Sequence, residues 1–239
     1  MSDVTEDRFL NGRIVVRQTI HGFRSGLDAV MLAAAVPPGE GEALDLGAGA
    51  GAASLCLAAR VSSYRVTGIE IDPALVDLAN ANAHENAMDM RVRFVAADAL
   101  HLPQNLKREF AHVFSNPPFH GEGMPAPDEG KRRALQDEGR LADWLETGAK
   151  RTVSGGTFTT IIRADRLGEA LAVLPATGMT VFPLWPRAGE PAKRVILQLR
   201  KGSGAPLVVL PGLVLHEEGG RYAPEADAVL RDGASLALG

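Results

Sequence analysis

The sequence is short of cysteine, of long apolar runs and of charge of one dominant sign. One cysteine, Cys56, occurs in 239 residues. An intrachain disulfide is therefore excluded, and a reduced, cytoplasmic setting is expected. No apolar run approaches the ~18 residues of a membrane span. The opening Met1-Ser2-Asp3-Val4-Thr5-Glu6-Asp7 is acidic and polar, unlike a secretory signal. Internal repeats and low-complexity linkers are missing. The six histidines and Cys56 show no zinc-ligand spacing, so no metal is expected. No nucleophile–histidine–acid constellation points to hydrolysis. Lysine plus arginine number 25 against 29 acids, a net charge of −4. That balance argues against wholesale coating of nucleic acid and leaves room for a local basic surface.

What remains is an ordinary globular composition, 46% hydrophobic and 23% charged, in a chain long enough for one sizeable α/β core. After residue 40, strand-like runs alternate with helical ones. Strands are expected at 43–46, 64–71, 92–96, 111–115, 157–163, 179–185 and 194–199. Helices are expected at 52–60, 73–88, 141–152 and 166–174. This alternation predicts a mostly parallel seven-stranded sheet with helices on both faces. The last two strands, with no helix between them, predict an antiparallel edge hairpin. Ahead of this core, Phe9 to Val16 carries the hairpin signal Asn11-Gly12, and a helix follows over 25–36. The chain thus divides into a hairpin and helix at 1–40, a main domain at 41–201, and an extension at 202–239 packed on the same domain.

The strongest local motif is Asp45-Leu46-Gly47-Ala48-Gly49-Ala50-Gly51, which leaves one strand and opens a helix. Its glycines let the backbone turn tightly and approach a ligand. A carboxylate just before the first glycine would repel a dinucleotide pyrophosphate. It attracts the ammonium and sulfonium of S-adenosylmethionine (SAM). Glu70 ends the second strand, where a carboxylate can accept from both ribose hydroxyls. Asp98 follows the third and could accept from the cofactor's adenine amino group, although a turn residue is as good a reading for it. Ala48, Ile71 and Ala99 flank these positions and join the expected cofactor-binding set.

After the fourth strand comes Asn116-Pro117-Pro118-Phe119. The lone pair of an aryl amine is delocalised into its ring, so the amine must be held with that pair turned toward the methyl group. The Asn116 side-chain oxygen can accept one of its N–H groups. The Pro117 carbonyl can accept the other, and Pro118 restricts where that carbonyl points. Phe119 can stack on an extruded base. Catalysis then rests on positioning, with no strongly shifted general base.

Together, Asp45 to Gly51, Glu70, Asp98 and Asn116 to Phe119 resemble the class I SAM-dependent amino-methyltransferases of the Asn-Pro-Pro-Phe/Tyr type, with their Rossmann-like fold. Gln18 and the stretch Gly22 to Leu32 resemble the lead-in of the bacterial tRNA(Val) adenine-N6 methyltransferases. Arg194 to Leu197 and Tyr222 to Glu225 also resemble segments of that family. The resemblance implies that the 1–40 stretch caps the cofactor pocket, with Arg24 and Asp28 over it. An Arg24–Asp28 helix pair is the plainer alternative. His120, Lys131, Arg132 and Arg133 are candidate RNA contacts. So are Lys193 and Arg194, within a run where Arg187, Lys193, Arg194, Arg200 and Lys201 face one acid, Glu190. The expected reaction is methylation of an adenine N6 in RNA, tRNA first. Alternatives are a guanine amino group of ribosomal RNA, a protein glutamine amide, and a non-catalytic SAM sensor or assembly factor. Sequence leaves the oligomeric state open.

Overall fold

The computed structural model describes residues 4–118 and 141–238. Two strands, β1 (Val4–Phe9) and β2 (Ile14–Thr19), form an antiparallel hairpin apart from the main sheet. On β2, Ile14, Val16 and Gln18 are buried at every second position, the pattern of a strand with one covered face. Asn11-Gly12 predicts a two-residue turn, whereas the register Phe9↔Ile14 leaves four residues in the connection. Leu10, Asn11 and Gly12 all take left-handed φ values. Arg13 ties the turn down by donating to the Leu10 and Asp232 carbonyls.

Next come α1 (Leu27–Ala35), β3 (Gly41–Leu46), α2 (Ala52–Arg60), β4 (Tyr64–Glu70), α3 (Pro73–Glu85), β5 (Val92–Ala96) and β6 (Phe110–Ser115). Downstream of residue 140 are α4 (Leu141–Arg151), β7 (Thr152–Arg163), α5 (Leu167–Val173), β8 (Met179–Trp185) and β9 (Arg194–Arg200). The tail adds β10 (Val208–Val209), β11 (Leu213–Val214) and α6 (Pro224–Asp227).

The main sheet runs β10-β8-β9-β7-β6-β3-β4-β5, with β11 also on β8. Only the pairings of β9, with β7 and β8, are antiparallel. The expected seven strands are present, and two short tail strands extend them to nine. The antiparallel strand β9 is internal because β7 and β8 flank it, and β10 and β11 cover part of the outer edge of β8. Strand residues alternate between two cores. Leu44, Leu46, Val113, Phe158 and Leu197 pack with α4 and α5. Val66, Phe94, Phe114, Ile161 and Ile196 pack with α1, α2 and α3. Burial on both faces is why these strands read as near-continuous apolar runs.

Helix α1 is buried without a break from Ala29 to Ala35, so its end carbonyls need partners inside the protein. Arg60 donates to the Ala33 carbonyl at 2.8 Å and also to that of Val36. The backbone N–H of Leu236 serves Ala34, and Gln198 serves Ala35 at 2.8 Å. In the sheet, the chain leaves β3 toward β4 on one side and β6 lies on the other. Such a switch opens a crevice outside the carboxyl ends of the strands.

Candidate active site

The loop after β3 is built around three left-handed glycines, Gly47, Gly49 and Gly51 (φ 75°, 54° and 90°). Two of them are also places of close approach. A Cβ on Gly47 would come within 2.8 Å of the Trp144 ring, and one on Gly51 within 2.6 Å of Phe94. At Gly49 nothing lies within 4 Å, so this part of the loop faces open space. Ala48 is buried beneath it. The Gly47 and Ala48 N–H groups both donate to the Ile69 carbonyl, fastening the loop to the end of β4.

Asp45 is buried and accepts from the Ser54 hydroxyl at 2.7 Å. Burial pushes its carboxyl up to about 7; the Ser54 bond opposes the shift and the nearby Glu70 charge adds to it. Glu70 accepts from Gly49 N–H at 2.9 Å and from Asp72 N–H at 3.0 Å. The bonds hold the carboxylate at the mouth of the loop, and each oxygen keeps a lone pair for a further donor. Asp72 caps α3 by accepting from the Ala74 N–H. Ile71, beside Glu70, is a large apolar side chain 60% exposed to solvent. Asp98 accepts from Leu100 N–H at 2.8 Å and lies 2.7 Å from His101 Nδ1, with Ala99 buried beside it. These acids stand at the ends of successive parallel strands, along one edge.

On the neighbouring strand, β6 delivers Asn116 and Pro117 to the same edge. The Ser115 hydroxyl anchors the strand end on the Leu46 carbonyl. The Asn116 Oδ1 is buried and has no hydrogen-bond partner among the described residues. A buried unpaired acceptor is unfavourable by about 1–3 kcal/mol, and it is what a clamp waiting for an N–H donor looks like. Pro117 is buried and Pro118 half-buried. Phe119, His120, Lys131, Arg132 and Arg133 lie outside the described residues.

Arg24 and Asp28 do not pair with each other, because Arg24 precedes α1. Arg24 meets Asp7 of β1 at 2.5 Å, and Asp28 meets Arg194 of β9 at 2.9 Å. Gln18, buried, donates to Asp7 and to the Ser25 carbonyl and accepts from Ser25 N–H. The segment between β2 and α1 is thereby fixed to the hairpin.

The basic run at 187–201 is not one surface. Strand β9 carries Arg194 at one end and Arg200 at the other, about 20 Å apart for seven residues. Arg194 pairs with Arg163, at the carboxyl end of β7, so Lys193 and Arg194 lie on the edge that holds Asn116. Arg200 and Lys201 lie at the opposite edge. There Lys201 bonds Glu109 and the Lys150 and Thr152 carbonyls. On the Asn116 edge the arginines meet acids: Arg163 with Asp165, Arg166 with Glu169, Arg187 with Glu190.

Sequence reading missed Ser54, the partner of Asp45, and Asn82, whose buried amide touches the loop at the Ala50 carbonyl. Asparagine inside a helix is the one signal that could have drawn attention to Asn82, since it is a poor helix former. Trp144 is buried against Gly47. Cys56 is a buried core residue whose thiol burial pushes up to about 12. Among the described residues no helix is long and apolar enough to cross a membrane, and no group of three metal-ligating side chains occurs.

This arrangement fits SAM. Burial and the Glu70 charge raise the Asp45 carboxyl to about 7, and a cation beside it would favour its ionised form. The bare Gly49 and the exposed Ile71 leave space beside Glu70.

Comparisons agree. Residues 27–141 match the model of the methyltransferase small domain. A Porphyromonas gingivalis protein named tRNA1(Val) (adenine(37)-N6)-methyltransferase is 31% identical over 237 residues, covering 92% of this chain and 91% of its own. A Yersinia enterocolitica protein of the same name is 28% identical over 215 residues, 87% and 84% of the two chains. The crystal structure of a predicted O-methyltransferase from Agrobacterium tumefaciens superposes with a TM-score of 0.73 at 29% identity, covering 87% and 98%. TrmN from Thermus thermophilus shares the fold, with a TM-score of 0.50 at 23% identity, covering 73% and 48%. The chain is a SAM-dependent methyltransferase with a Rossmann-like core, and it belongs to the family whose curated members carry the name tRNA1(Val) (adenine(37)-N6)-methyltransferase.

Proposed function

We propose that this enzyme methylates the exocyclic N6 of an adenine in RNA, with tRNA as the substrate and the cytoplasm as the setting. The observation that carries the reading is the buried Asn116 Oδ1 at the end of β6, which has no hydrogen-bond partner among the described residues. It is followed by Pro117, whose carbonyl is the second acceptor. Two acceptors suit an amine, which has two N–H groups to give. A hydroxyl has one, so the clamp argues against oxygen as the target atom. The names of the curated relatives support adenine N6 in tRNA.

The residues divide the work as follows. Asp45 and the loop Gly47 to Gly51 hold the methionine part of SAM, and Glu70 accepts from its ribose. Ile71 and Ala99 cover the adenine, whose amino group Asp98 accepts. Arg24 and Asp28 lie over the pocket. Bound SAM supplies an electrophilic methyl group. Asn116 and Pro117 hold the target amine, turning its lone pair toward that methyl, and Pro118 fixes the direction of the Pro117 carbonyl. Phe119 stacks on the extruded base. His120, Lys131, Arg132, Arg133, Lys193 and Arg194 contact RNA.

The test is nucleoside mass spectrometry of bulk tRNA from cells with and without the gene. Loss of N6-methyladenosine, restored by the intact gene and not by Asn116→Ala, is the expected result. An unchanged tRNA profile would refute the tRNA reading. A lost N2-methylguanosine in ribosomal RNA, or a lost methylglutamine in protein, would name the replacement.

A further inference from the structure

Three asparagines mark α3: Asn80, Asn82 and, at its C-cap, Asn86. Such side chains compete with helix backbone for hydrogen bonds. Here each pairs at two points with a backbone amide of another element, as an adjoining strand would. Asn80 accepts from Phe94 N–H at 3.0 Å and donates to the Phe94 carbonyl at 3.1 Å, on β5. Asn86 does the same for Val15 on β2, at 2.9 and 2.7 Å. Asn82 does so for Arg17 on β2, at 2.9 and 3.0 Å. Its amide also donates to the Ala50 carbonyl at 2.9 Å. The side chain is wholly buried, so water does not compete for these bonds. Ala50 lies between Gly49 and Gly51. One side chain therefore grips the inner strand of the hairpin and the glycine loop together. Asn86, one turn on, grips the hairpin and the Asn82 carbonyl and makes no bond to the glycine loop.

We propose that Asn82 is a positioning residue that couples docking of the N-terminal hairpin to the shape of the cofactor loop. A loop with three left-handed glycines is otherwise free to change shape, and a fixed Ala50 carbonyl restricts it. Equilibrium coupling is reciprocal, so a docked hairpin strengthens SAM binding and bound SAM holds the hairpin down. The inference rests on the reading that Gly47 to Gly51 hold SAM.

The test uses the full chain and S-adenosylhomocysteine as the calorimetric probe, with steady-state kinetics alongside. The variants are Asn82→Ala, Asn82→Asp, Asn86→Ala and Glu70→Ala. Asn82→Asp keeps the acceptor for Arg17 and loses both donated bonds, and it serves if Asn82→Ala does not fold. The Asn82 variants should raise Kd and the KM for SAM about tenfold. Their kcat at saturating SAM should stay within about twofold of the parent. Asn86→Ala, which loosens the hairpin but leaves the Asn82–Ala50 bond, should raise Kd and KM clearly less than the Asn82 variants do and leave kcat near the parent value. Equal losses at Asn82 and Asn86 would make Asn82 a hairpin anchor only and overturn the proposal, as would no loss at Asn82. If Glu70→Ala also binds the probe normally, the cofactor assignment itself fails, and the coupling with it. Hydrogen exchange gives a second reading. The probe should slow exchange of the Arg17 amide in the parent and not in Asn82→Asp; equal slowing in both would contradict the coupling.

Discussion

On the β3–β4–β5 side of the carboxyl edge, polar groups are already paired within the protein. Ser54 donates to Asp45, Gly49 and Asp72 to Glu70, Leu100 to Asp98, and Asn82 to Ala50. On the β6–β7–β9 side, the Asn116 oxygen is buried without a partner among the described residues. Around it stand arginines held by acids that are themselves well exposed, such as Asp165 and Glu190. Exposed ion pairs of this kind contribute only about 0–1 kcal/mol, so a phosphate can take the place of the acid. The difference teaches where each ligand's binding energy is spent. On the proposed assignment of residues, the cofactor half is shaped before its ligand arrives, and the substrate half completes its bonding with the ligand.

Breaking the substrate half alone should give the largest effect. Asn116→Ala should lower kcat on the order of 10²-fold, the scale of a misplaced reacting group. Its SAM affinity, measured by calorimetry, should stay unchanged. A matching loss of SAM affinity would merge the two halves and end the comparison.

The cofactor half trades stability for binding at Asp45. The unfolded carboxyl ionises at its ordinary 3.8 and the folded one near 7. As pH rises through that window, ionisation progressively destabilises the empty protein. Asp45→Asn should therefore raise Tm at pH 8, on the order of a few kcal/mol in stability, while weakening SAM binding. A cation at Asp45 favours the ionised form, so SAM affinity in the parent should fall below pH 7. A pH-independent affinity would remove Asp45 from the cofactor's charge.

His112 titrates with the opposite sign, at the amino end of the same sheet. It is buried against Thr157, and burial, then the Arg60 charge, brings it down to about 3 from an ordinary 6.5. The unfolded imidazole takes a proton in that interval and the folded one does not. Stability is then present above pH 6.5 and lost as pH falls toward 3. Denaturant melts at pH 7 and 4 should show a smaller difference for His112→Gln than for the parent.

The smallest effect should separate two lysines that the sequence groups together. Lys193→Ala, on the Asn116 edge, should weaken tRNA binding modestly and lower its salt slope by about 1. Lys201→Ala should leave binding alone and lower Tm, because its ammonium bonds Glu109 and two carbonyls. Filter-binding and melting curves on both variants would expose a reversal.

Sequence made the sheet legible because its strands are buried on both faces, and the site legible because its motifs are contiguous. Asp45 to Gly51 and Asn116 to Pro118 each sit in one stretch at one strand end. What escaped depends on distant elements meeting. The bonds of Asn82 require α3 to lie beside β2, 65 residues away in sequence. The run at 187–201 looked like one patch because spacing does not show that a strand carries its two ends to opposite edges. The tail from Val208 to Tyr222 has strand character in the sequence, but only pairing with β8 fixes β10 and β11 as two-residue strands.

The most direct test of the central claim is to incubate purified protein with unmodified tRNA and methyl-labelled SAM, then resolve the digested nucleosides. The account predicts label in N6-methyladenosine, and none when Asn116→Ala replaces the parent. Label in a ribose-methylated nucleoside or N2-methylguanosine, or an active Asn116→Ala, would contradict it.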